Sequence, residues 1–235
     1  VKTEIELLKK YELEMGRECE KTVFVASQEA KDFNIELGEE KAFAIPIGVD
    51  TDTFAYRKTG NDGQVIGFLG AMSVAHNENA VRHFISDIFP DILKSEPTVK
   101  FLVIGGGVSE NLQSLASENI IFTGQVPDVK EYLEKCKVFV CPMTFGSGIK
   151  TKNLEAMSLG LPVVTTSIGA ENIDAVDGRD WLICNEDNKF TKAVVELLTN
   201  EEKRVRIGIN ASRFIEKNFT WNVAKNAFAE VLECE

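Results

Sequence analysis

The chain has 235 residues, of which 44% are hydrophobic and 9% aromatic, a composition typical of a globular protein with a large core. Its formal net charge of −11 argues against nonspecific binding to nucleic acid and against electrostatic attachment to anionic lipid, both of which need a basic surface. The sequence shows no apolar run near the roughly 20 residues that span a bilayer and no secretory h-region. Its five scattered cysteines lead us to expect reduced thiols in the cytoplasm and no metal site.

The first part of the chain predicts two helices and two short strands. Apolar residues at helical spacing among many charges favour a surface helix over residues 1–22. Strands are expected at residues 23–25 and 43–45, with a helix near residues 28–33 between them. Residues 57–63 are polar and contain glycine, asparagine and aspartate, which is typical of a linker.

From residue 65 onward strands and helices alternate. The apolar runs are nearly continuous, as in parallel strands that helices cover on both faces. We therefore expect an α/β fold with a Rossmann-like, doubly wound parallel sheet, closed by three helices at 188–199, 201–218 and 220–232. The predicted strands are residues 65–69, 100–104, 120–123, 138–141, 162–165 and 181–184, and the predicted helices between them are 78–94, 110–117, 128–136 and 149–159.

Glycine-rich loops follow four of these strands. They contain Gly70, residues 105–107, residues 124–128 and residues 145–148. In a doubly wound sheet, ligands bind beyond the carboxyl ends of the strands, so these loops are expected to converge on one edge. Any single glycine is explained more simply by a tight turn. The whole set together with Lys150, Lys152 and Glu155 favours a ligand site.

Residues 145–164, with the sequence FGSGIKTKNLEAMSLGLPVV, form the most informative segment. Gly146 and Gly148 allow a sharp turn and close approach of the backbone to a ligand. The helix that follows directs unpaired N–H groups and the positive end of its dipole at the loop. Lys150 and Lys152 add positive charge there, which suits a phosphate. Glu155 lies three residues after Lys152 and therefore projects from the same helix face.

At these residues the chain resembles the family 4 glycosyltransferases, enzymes of the GT-B fold that move a sugar from a nucleotide diphosphate donor to an acceptor. The resemblance extends to a segment resembling I-P-N-G-V-D-x-x-x-F at residues 45–54 and to a loop at residues 122–129. Two further segments match at residues 169–173 and 177–180. The similarity thus covers nearly the whole chain in the right order.

The resemblance implies a role for each matching position. Glu155 corresponds to the glutamate that binds the ribose hydroxyls, and Val126, Asp128 and Val129 to the loop that holds the base. It implies a UDP- or GDP-sugar as donor, without a metal or another cofactor, and leaves the catalytic residues unknown. The positions expected to bind the donor diphosphate are Gly70, Gly148, Ile149, Lys150 and Lys152.

Three positions depart from the family pattern. The usual arginine and lysine of the first loop are Ala71 and His76 here, so Lys150 and Lys152 are expected to restore the lost charge. For His76, a phosphate contact and a plain loop role are both open. Ser147 stands where the family usually has a further glutamate. It either bonds a hydroxyl of the donor sugar or caps the helix.

The resemblance also predicts how the chain is organised. Residues 1–55 would be the tail of an N-terminal acceptor domain with its interdomain linker, residues 56–218 the nucleotide-sugar-binding domain, and residues 219–235 a helix that packs back toward the N-terminal side. With most of the acceptor half missing, strands 23–25 and 43–47 would lack sheet partners. The isolated chain is then expected to be inactive.

Three functions remain open from the sequence. The first is the donor domain of a retaining hexosyltransferase that acts on a saccharide or lipid-linked acceptor in polysaccharide biosynthesis. The second is a GT-B sugar-nucleotide epimerase, for which no essential set of acidic residues and histidines is found. The third is a non-enzymatic α/β binding module such as a receiver-like domain, which would need an acidic cluster at the strand ends where this chain has glycines.

Overall fold

The computed structural model describes residues 2–57 and 63–233, which divide into two compact units. The first unit combines the described residues up to Gly48 with those from Asn218 onward, and the second unit spans Val49–Lys217. Most of the predicted linker, at residues 58–62, lies outside the described residues. The domain boundaries expected from the sequence remain a prediction.

The elements follow one another in the order that the sequence predicts. They are α1 (Lys2–Glu18), β1 (Thr22–Phe24), α2 (Ser27–Leu37), β2 (Ala42–Ala44), β3 (Val65–Leu69), α3 (Ala75–His83), a π-helical turn (Phe84–Ile88), α4 (Phe89–Ser95), β4 (Lys100–Ile104), α5 (Glu110–Gln113), β5 (Ile120–Phe122), α6 (Lys130–Leu133), β6 (Val138–Cys141), α7 (Thr151–Ser158), β7 (Val163–Thr165), β8 (Leu182–Ile183), α8 (Asp187–Thr199), α9 (Glu201–Asn218) and α10 (Trp221–Glu233).

In the first unit, β1 and β2 pair with each other as a two-stranded parallel sheet. The side chain of Asn34 in α2 fixes the start of β2, since its Oδ1 accepts from the N–H groups of Lys41 and Ala42. Helix α10 belongs to the same unit, where Trp221 packs so closely on Gly48 that a Cβ there would lie 2.5 Å from the indole ring. The close packing therefore requires glycine at position 48.

The second unit is built on a six-stranded sheet in the order β5-β4-β3-β6-β7-β8, in which every pair is parallel. All residues of β6 and β7 are buried, which explains why these strands read as continuous apolar runs. The α/β Rossmann-like fold is confirmed. Successive strands are added outward from β3 to β5 on one side of the sheet and from β6 to β8 on the other. The topological switch point therefore lies between the carboxyl ends of β3 and β6.

The predicted helix at residues 78–94 is interrupted by a π-helical turn. At its end the N–H of Phe89 donates to the carbonyl oxygen of Phe84, five residues earlier, and Pro90, which lacks an N–H, begins the next helical turn. This turn has one residue more between hydrogen-bonded groups than an α-helical turn has, and the chain remains helical up to and beyond Pro90. The turn also places Phe84 against Phe101 of β4, with ring centroids 4.5 Å apart.

Backbone hydrogen bonds hold together the loops that follow β3, β4 and β5. The N–H of Gly70 donates to Ile104, that of Met72 to Gly106, and that of Gly105 to Gly124. Gly105 has φ 134°, and a Cβ there would lie 2.1 Å from the carbonyl oxygen of Gly70, so only glycine fits. The carboxyl edge of the sheet is thus a preorganised surface.

Candidate functional site

The candidate site lies at the topological switch point. The loop after β3 begins at Gly70, and the loop after β6 contains Gly146 and Gly148, both with positive φ. Because β3 and β6 are neighbours in the sheet, these two loops meet at its carboxyl edge. The sequence-predicted residues Gly70, Gly148, Ile149, Lys150, Lys152 and Glu155 all belong to these loops or to α7 after them.

Lys152 connects the two loops. Its ammonium group donates a hydrogen bond to Oδ1 of Asn77 and lies 4.4 Å from the ring centroid of Phe68. Asn77 is buried, and its Nδ2 donates to the carbonyl oxygen of Ala71. A Cβ at Gly70 would lie 2.8 Å from both Nζ of Lys152 and Nδ2 of Asn77, so position 70 must remain without a side chain for this contact to form.

Burial is the main cause that lowers the pKa of Lys152 to about 8; the nearby charge of Lys150 contributes in the same direction, while Cys141 and Glu155 act in the opposite direction. The side chain is therefore still largely protonated at neutral pH, although it is poorly solvated. An anion placed beside it would replace lost hydration and raise its pKa again. A partly buried cation of this kind is suited to binding a phosphate.

Lys150 differs from Lys152 in its surroundings. Its ammonium group donates to the carbonyl oxygens of Gly148 at 2.7 Å and Gly146 at 3.3 Å, and lies 3.9 Å from Oε2 of Glu171. Only 5% of the residue is exposed. Lys150 therefore holds the loop around Ser147 in shape, and the two lysines expected to act as a pair on the diphosphate have different partners in the protein.

Helix α7 begins two residues later than predicted. Its N-cap residue is Lys150, with φ −90° and ψ 87°, and the helix begins at Thr151 rather than Ile149. The alternative that Ser147 caps this helix is wrong, because Ser147 stands three residues before the N-cap position. Ser147 is exposed between two glycines with positive φ, and its predicted contact with the donor sugar stays a prediction.

Glu155 lies in the second turn of α7 and is partly buried. Burial raises the pKa of its carboxyl group, whereas the positive charge of Lys152 lowers it. The predicted neighbourhood of these two residues is thus present in the structure. The assignment of Glu155 to the ribose stays a prediction.

The predicted base-binding loop lies between β5 and α6. Val126 and Val129 are partly buried and Asp128 is exposed. Oδ1 of Asp128 accepts from the N–H of Lys130 at 2.9 Å, and Val129 is the N-cap residue of α6. The Asp128 side chain therefore shapes the loop. The assignment of Val126, Asp128 and Val129 to the base stays a prediction.

His76 is the second residue of α3 and lies beside Gly146, where a Cβ would be 3.3 Å from the imidazole Cγ. Burial lowers its pKa, and the charges of Lys152 and Lys150 lower it further. Because an imidazole ordinarily titrates near pH 6.5, His76 is neutral at pH 7 and adds little charge to the site. The other histidine, His83, contacts Asp87 at 3.1 Å and Asp187 at 3.0 Å.

Sequence reasoning assigned no role to Asn77, Phe68 or Glu171. Asn77 reads as an ordinary polar residue near a helix start, and its use becomes visible only when Lys152, 75 positions away, is placed next to it. Phe68 reads as a core strand residue. Glu171 stands in a segment with family resemblance, which was the one signal that could have drawn attention to it.

Three further features concern the described ranges outside the candidate site. Residues 2–57 and 63–233 contain no group of three histidine, cysteine or acidic side chains that could hold a metal ion. No helix in these ranges has the length and apolar composition that crossing a bilayer requires. A separate groove with a volume of about 650 Å³ lies along α9, where it is lined by Val205, Arg206, Ile209, Asn210 and neighbouring residues.

Comparison with curated proteins finds relatives among bacterial polysaccharide and lipid glycosylation proteins. The chain is 26% identical over 205 residues to the uncharacterized 44.6 kDa protein in the cps region of Klebsiella pneumoniae, covering 83% of this chain and 52% of the relative. It is 29% identical over 174 residues to the capsular polysaccharide biosynthesis glycosyltransferase CapM of Staphylococcus aureus, covering 70% of this chain and 44% of the relative. It is 23% identical over 243 residues to a GDP-mannose-dependent monoacylated alpha-(1-6)-phosphatidylinositol monomannoside mannosyltransferase of Corynebacterium glutamicum. This match covers 94% of this chain and 64% of the relative.

Solved structures share the fold. A mutant of S. aureus TarM in complex with fondaparinux, alpha-GlcNAc-glycerol and UDP superposes with a TM-score of 0.80 at 19% identity, covering 96% of this chain and 46% of that chain. Anabaena Alr3699/HepE in complex with UDP and glucose superposes with a TM-score of 0.75 at 16% identity, covering 92% and 64%. These likenesses support the GT-B resemblance of the fold.

The chain spans about half the length of the first curated relatives it matches. The family model described as glycosyl transferases group 1 matches residues 63–200, which is more than half of the chain and contains all of the candidate site. The resemblance to glycosyltransferases is thereby confirmed. The chain belongs to the glycosyl transferases group 1 family.

Proposed function

We propose that the second unit is the donor-binding domain of a glycosyltransferase and that it holds the diphosphate of a UDP- or GDP-sugar at the switch point. The observation that carries this proposal is the position of Lys152, whose side chain is partly buried and whose ammonium group lies beside the side-chain-free backbone of Gly70. A cation with little solvation next to an open glycine loop supports the binding of a phosphate.

The remaining contacts follow along the ligand from this point. The diphosphate would contact Lys152 directly and the backbone at Gly70, Gly148 and Ile149, with Lys150 adding charge from behind the loop. The ribose hydroxyls would donate to the carboxylate of Glu155, and the base would lie against the loop at Val126, Asp128 and Val129. The donor sugar would extend toward Ser147.

The choice between the two bases is part of the proposal. UDP is named in the complexes of TarM and HepE, and GDP-mannose in the name of the Corynebacterium mannosyltransferase. We propose either base for this chain, because the contacts expected from the protein involve backbone and carboxylate groups that a uracil or a guanine can satisfy.

For the whole protein we propose transfer of a hexosyl group to a saccharide or lipid-linked acceptor with retention of configuration, in the cytoplasm. Retention and the acceptor rest on the resemblance of the sequence. The described cysteines Cys19, Cys136, Cys141 and Cys184 are free thiols, which supports a reducing compartment. We further propose that the residues that complete catalysis correspond to the other half of the longer relatives.

Calorimetric titration with UDP, GDP and the matching nucleosides tests the donor site. We expect both diphosphates or one of them to bind, and the nucleoside of that diphosphate to bind much more weakly, since it lacks the phosphates. A folded protein that gives no heat with either diphosphate at millimolar concentration would contradict the proposal.

The transfer step needs a separate test. Positioning of two substrates accounts for about 7–11 kcal/mol of barrier lowering in well-oriented reactions, and a donor domain alone cannot supply it. We expect the 235-residue chain to release sugar from the donor only slowly and to transfer none to saccharide or lipid-linked acceptors. Efficient transfer by this chain alone would contradict the proposed division of labour.

A further inference from the structure

The segment that follows β7 lies next to the candidate site and carries a carboxylate that the proposed donor contacts do not use. This segment, residues 166–173, comes after the strand that neighbours β6, so it shares the carboxyl edge of the sheet with the glycine loop at residues 145–148. Its acidic residue is Glu171. Asn172, directly after it, has φ 61°, which makes the turn at this point sharp.

Two hydrogen bonds fix this segment to the elements that form the site, and a third lies within the segment. The hydroxyl of Thr166 donates to the carbonyl oxygen of Met143 at 2.7 Å, and it accepts from the N–H of Gly169. Nδ2 of Asn153, a buried residue of α7, donates to the carbonyl oxygen of Gly169 at 2.8 Å. The backbone that carries Glu171 is therefore held in place before any ligand arrives.

One oxygen of Glu171 is left without a hydrogen-bond donor. Oε2 has essentially no accessible surface and accepts no hydrogen bond from the described residues, although the side chain as a whole is 42% exposed. The nearby cation is Lys150, whose Nζ is 3.9 Å away, too far for a hydrogen bond. Because Oε2 is shielded, a ligand can approach Glu171 only at the exposed part of its side chain, where the carboxylate is suited to accept from a hydroxyl group that the ligand brings.

Lys150 connects Glu171 to the loop that carries Ser147. The same ammonium group that lies near Glu171 donates to Gly146 and Gly148, the residues on either side of Ser147. Glu171 is thus beside the loop that carries a serine where the resemblance implies a glutamate. A serine hydroxyl is a neutral group with a single oxygen, whereas the two oxygens of a carboxylate accept several charge-assisted hydrogen bonds from sugar hydroxyls.

We infer that Glu171 is a specificity-determining residue that binds hydroxyl groups of the donor sugar, in place of the carboxylate missing at position 147. This inference rests on the proposed function, because it concerns the sugar of the same nucleotide donor. Glu171 would act on the sugar, whereas the diphosphate and the ribose are assigned to Lys152 and Glu155 in the proposed function.

The test compares ligands with and without the sugar in wild type and Glu171→Gln. The probes are UDP and GDP, and with them UDP-glucose, UDP-galactose, UDP-N-acetylglucosamine and GDP-mannose, measured by calorimetry. We expect one of the nucleotide sugars to bind the wild type better than its parent diphosphate does. Glu171→Gln should weaken the binding of that nucleotide sugar by about 10- to 100-fold. The affinity for the parent diphosphate should stay within about a factor of two, since Lys150 keeps its hydrogen bonds to Gly146 and Gly148 in this variant.

Glu118→Gln is the matched control, because Glu118 is exposed and precedes β5 at the opposite edge of the sheet. It should change no affinity. Circular dichroism and thermal unfolding of each variant show whether it is folded, and Glu171→Asp provides a second variant that keeps the charge and should retain part of the preference for the sugar.

The outcomes separate this inference from the proposed function. If the wild type binds no nucleoside diphosphate, the proposed function fails and this inference fails with it. If a diphosphate binds but Glu171→Gln changes its affinity and that of its sugars equally, or changes neither, the inference alone is overturned. The same holds if the wild type binds every sugar no better than the parent diphosphate.

Discussion

Lys152 in α7 donates a hydrogen bond to the side-chain carbonyl of Asn77 in α3, which ties together the two loops that meet at the switch point of the sheet. The contact holds a cation above Phe68 and beside Gly70 before any anion is bound. Preorganisation of this kind reduces the cost of binding, because the side chain is not ordered anew by the ligand.

Substitution of Lys152 should act on the phosphates of the ligand. Lys152→Met removes a charge-assisted hydrogen bond, so diphosphate binding should weaken by about 1.5–3 kcal/mol. Binding of the nucleoside, which has no phosphate, should barely change. Calorimetry on both ligands checks this, with Lys94→Met as control, since Lys94 is an exposed lysine of α4. Equal losses for nucleoside and diphosphate would instead indicate a structural role for Lys152.

The pKa of Lys152 predicts how diphosphate binding depends on pH. Burial lowers this pKa to about 8, so the fraction of charged side chain falls as the pH rises through that value. Because the diphosphate binds the charged form, affinity should decrease by about tenfold between pH 7 and pH 9 and change little just below pH 7. Titrations of the wild type across this range provide the measurement. Lys152→Met should show a flat profile, and a flat profile in the wild type would exclude Lys152 as the phosphate ligand.

Substitution of Lys150 should lower the free energy of unfolding more than substitution of Lys152 does. Its ammonium group is almost fully buried and donates to the carbonyl oxygens of Gly146 and Gly148, which lose their donor in Lys150→Met. We expect the free energy of unfolding in urea to fall by about 1–3 kcal/mol. Diphosphate affinity should fall as well, since the loop that presents Gly148 and Ile149 loses its support. Full stability combined with lost affinity would show that Lys150 binds the phosphate itself.

Glu155 is predicted to bind the ribose. Glu155→Gln keeps the size and helix propensity of the residue but removes the charge, so ribonucleotide binding should weaken by about 1.5–3 kcal/mol. Thermal unfolding of the free protein should change little. A 2′,3′-dideoxy diphosphate already lacks the hydroxyl groups, and its affinity should be nearly the same for both proteins. If the mutant binds the ribonucleotide as the wild type does, Glu155 has no role in binding the ribose.

The strands of the second unit were predictable because each is a continuous apolar run bounded by turn residues. Residues 65–69, 100–104 and 138–141 were predicted with the bounds that the structure has. Burial on both faces of a parallel sheet leaves this pattern in the sequence itself. The short helices α5 and α6 were predicted too long, since local apolar spacing does not show where a single helical turn ends.

The candidate site was predictable only in part. Glycines at strand ends and basic residues near a helix start are local signals, and they led to Gly70, Lys150 and Lys152. The contacts that distinguish the two lysines depend on neighbours distant in sequence, Asn77 for Lys152 and Glu171 for Lys150. The later start of α7 has a similar cause, because Lys150 folds its side chain back onto the loop, and its backbone stays outside the helix.

The location of the donor site is the central claim, and amide chemical shifts in ¹⁵N-labelled protein test it most directly. On titration with UDP or GDP, we expect the largest shift changes at Gly70, Gly148, Lys152 and Glu155, with smaller changes at Val126 and Val129. Amides of Arg206 and Asn210, which line the separate groove along α9, should not move. Shift changes confined to α9, with the amides at the switch point unchanged, would contradict the account.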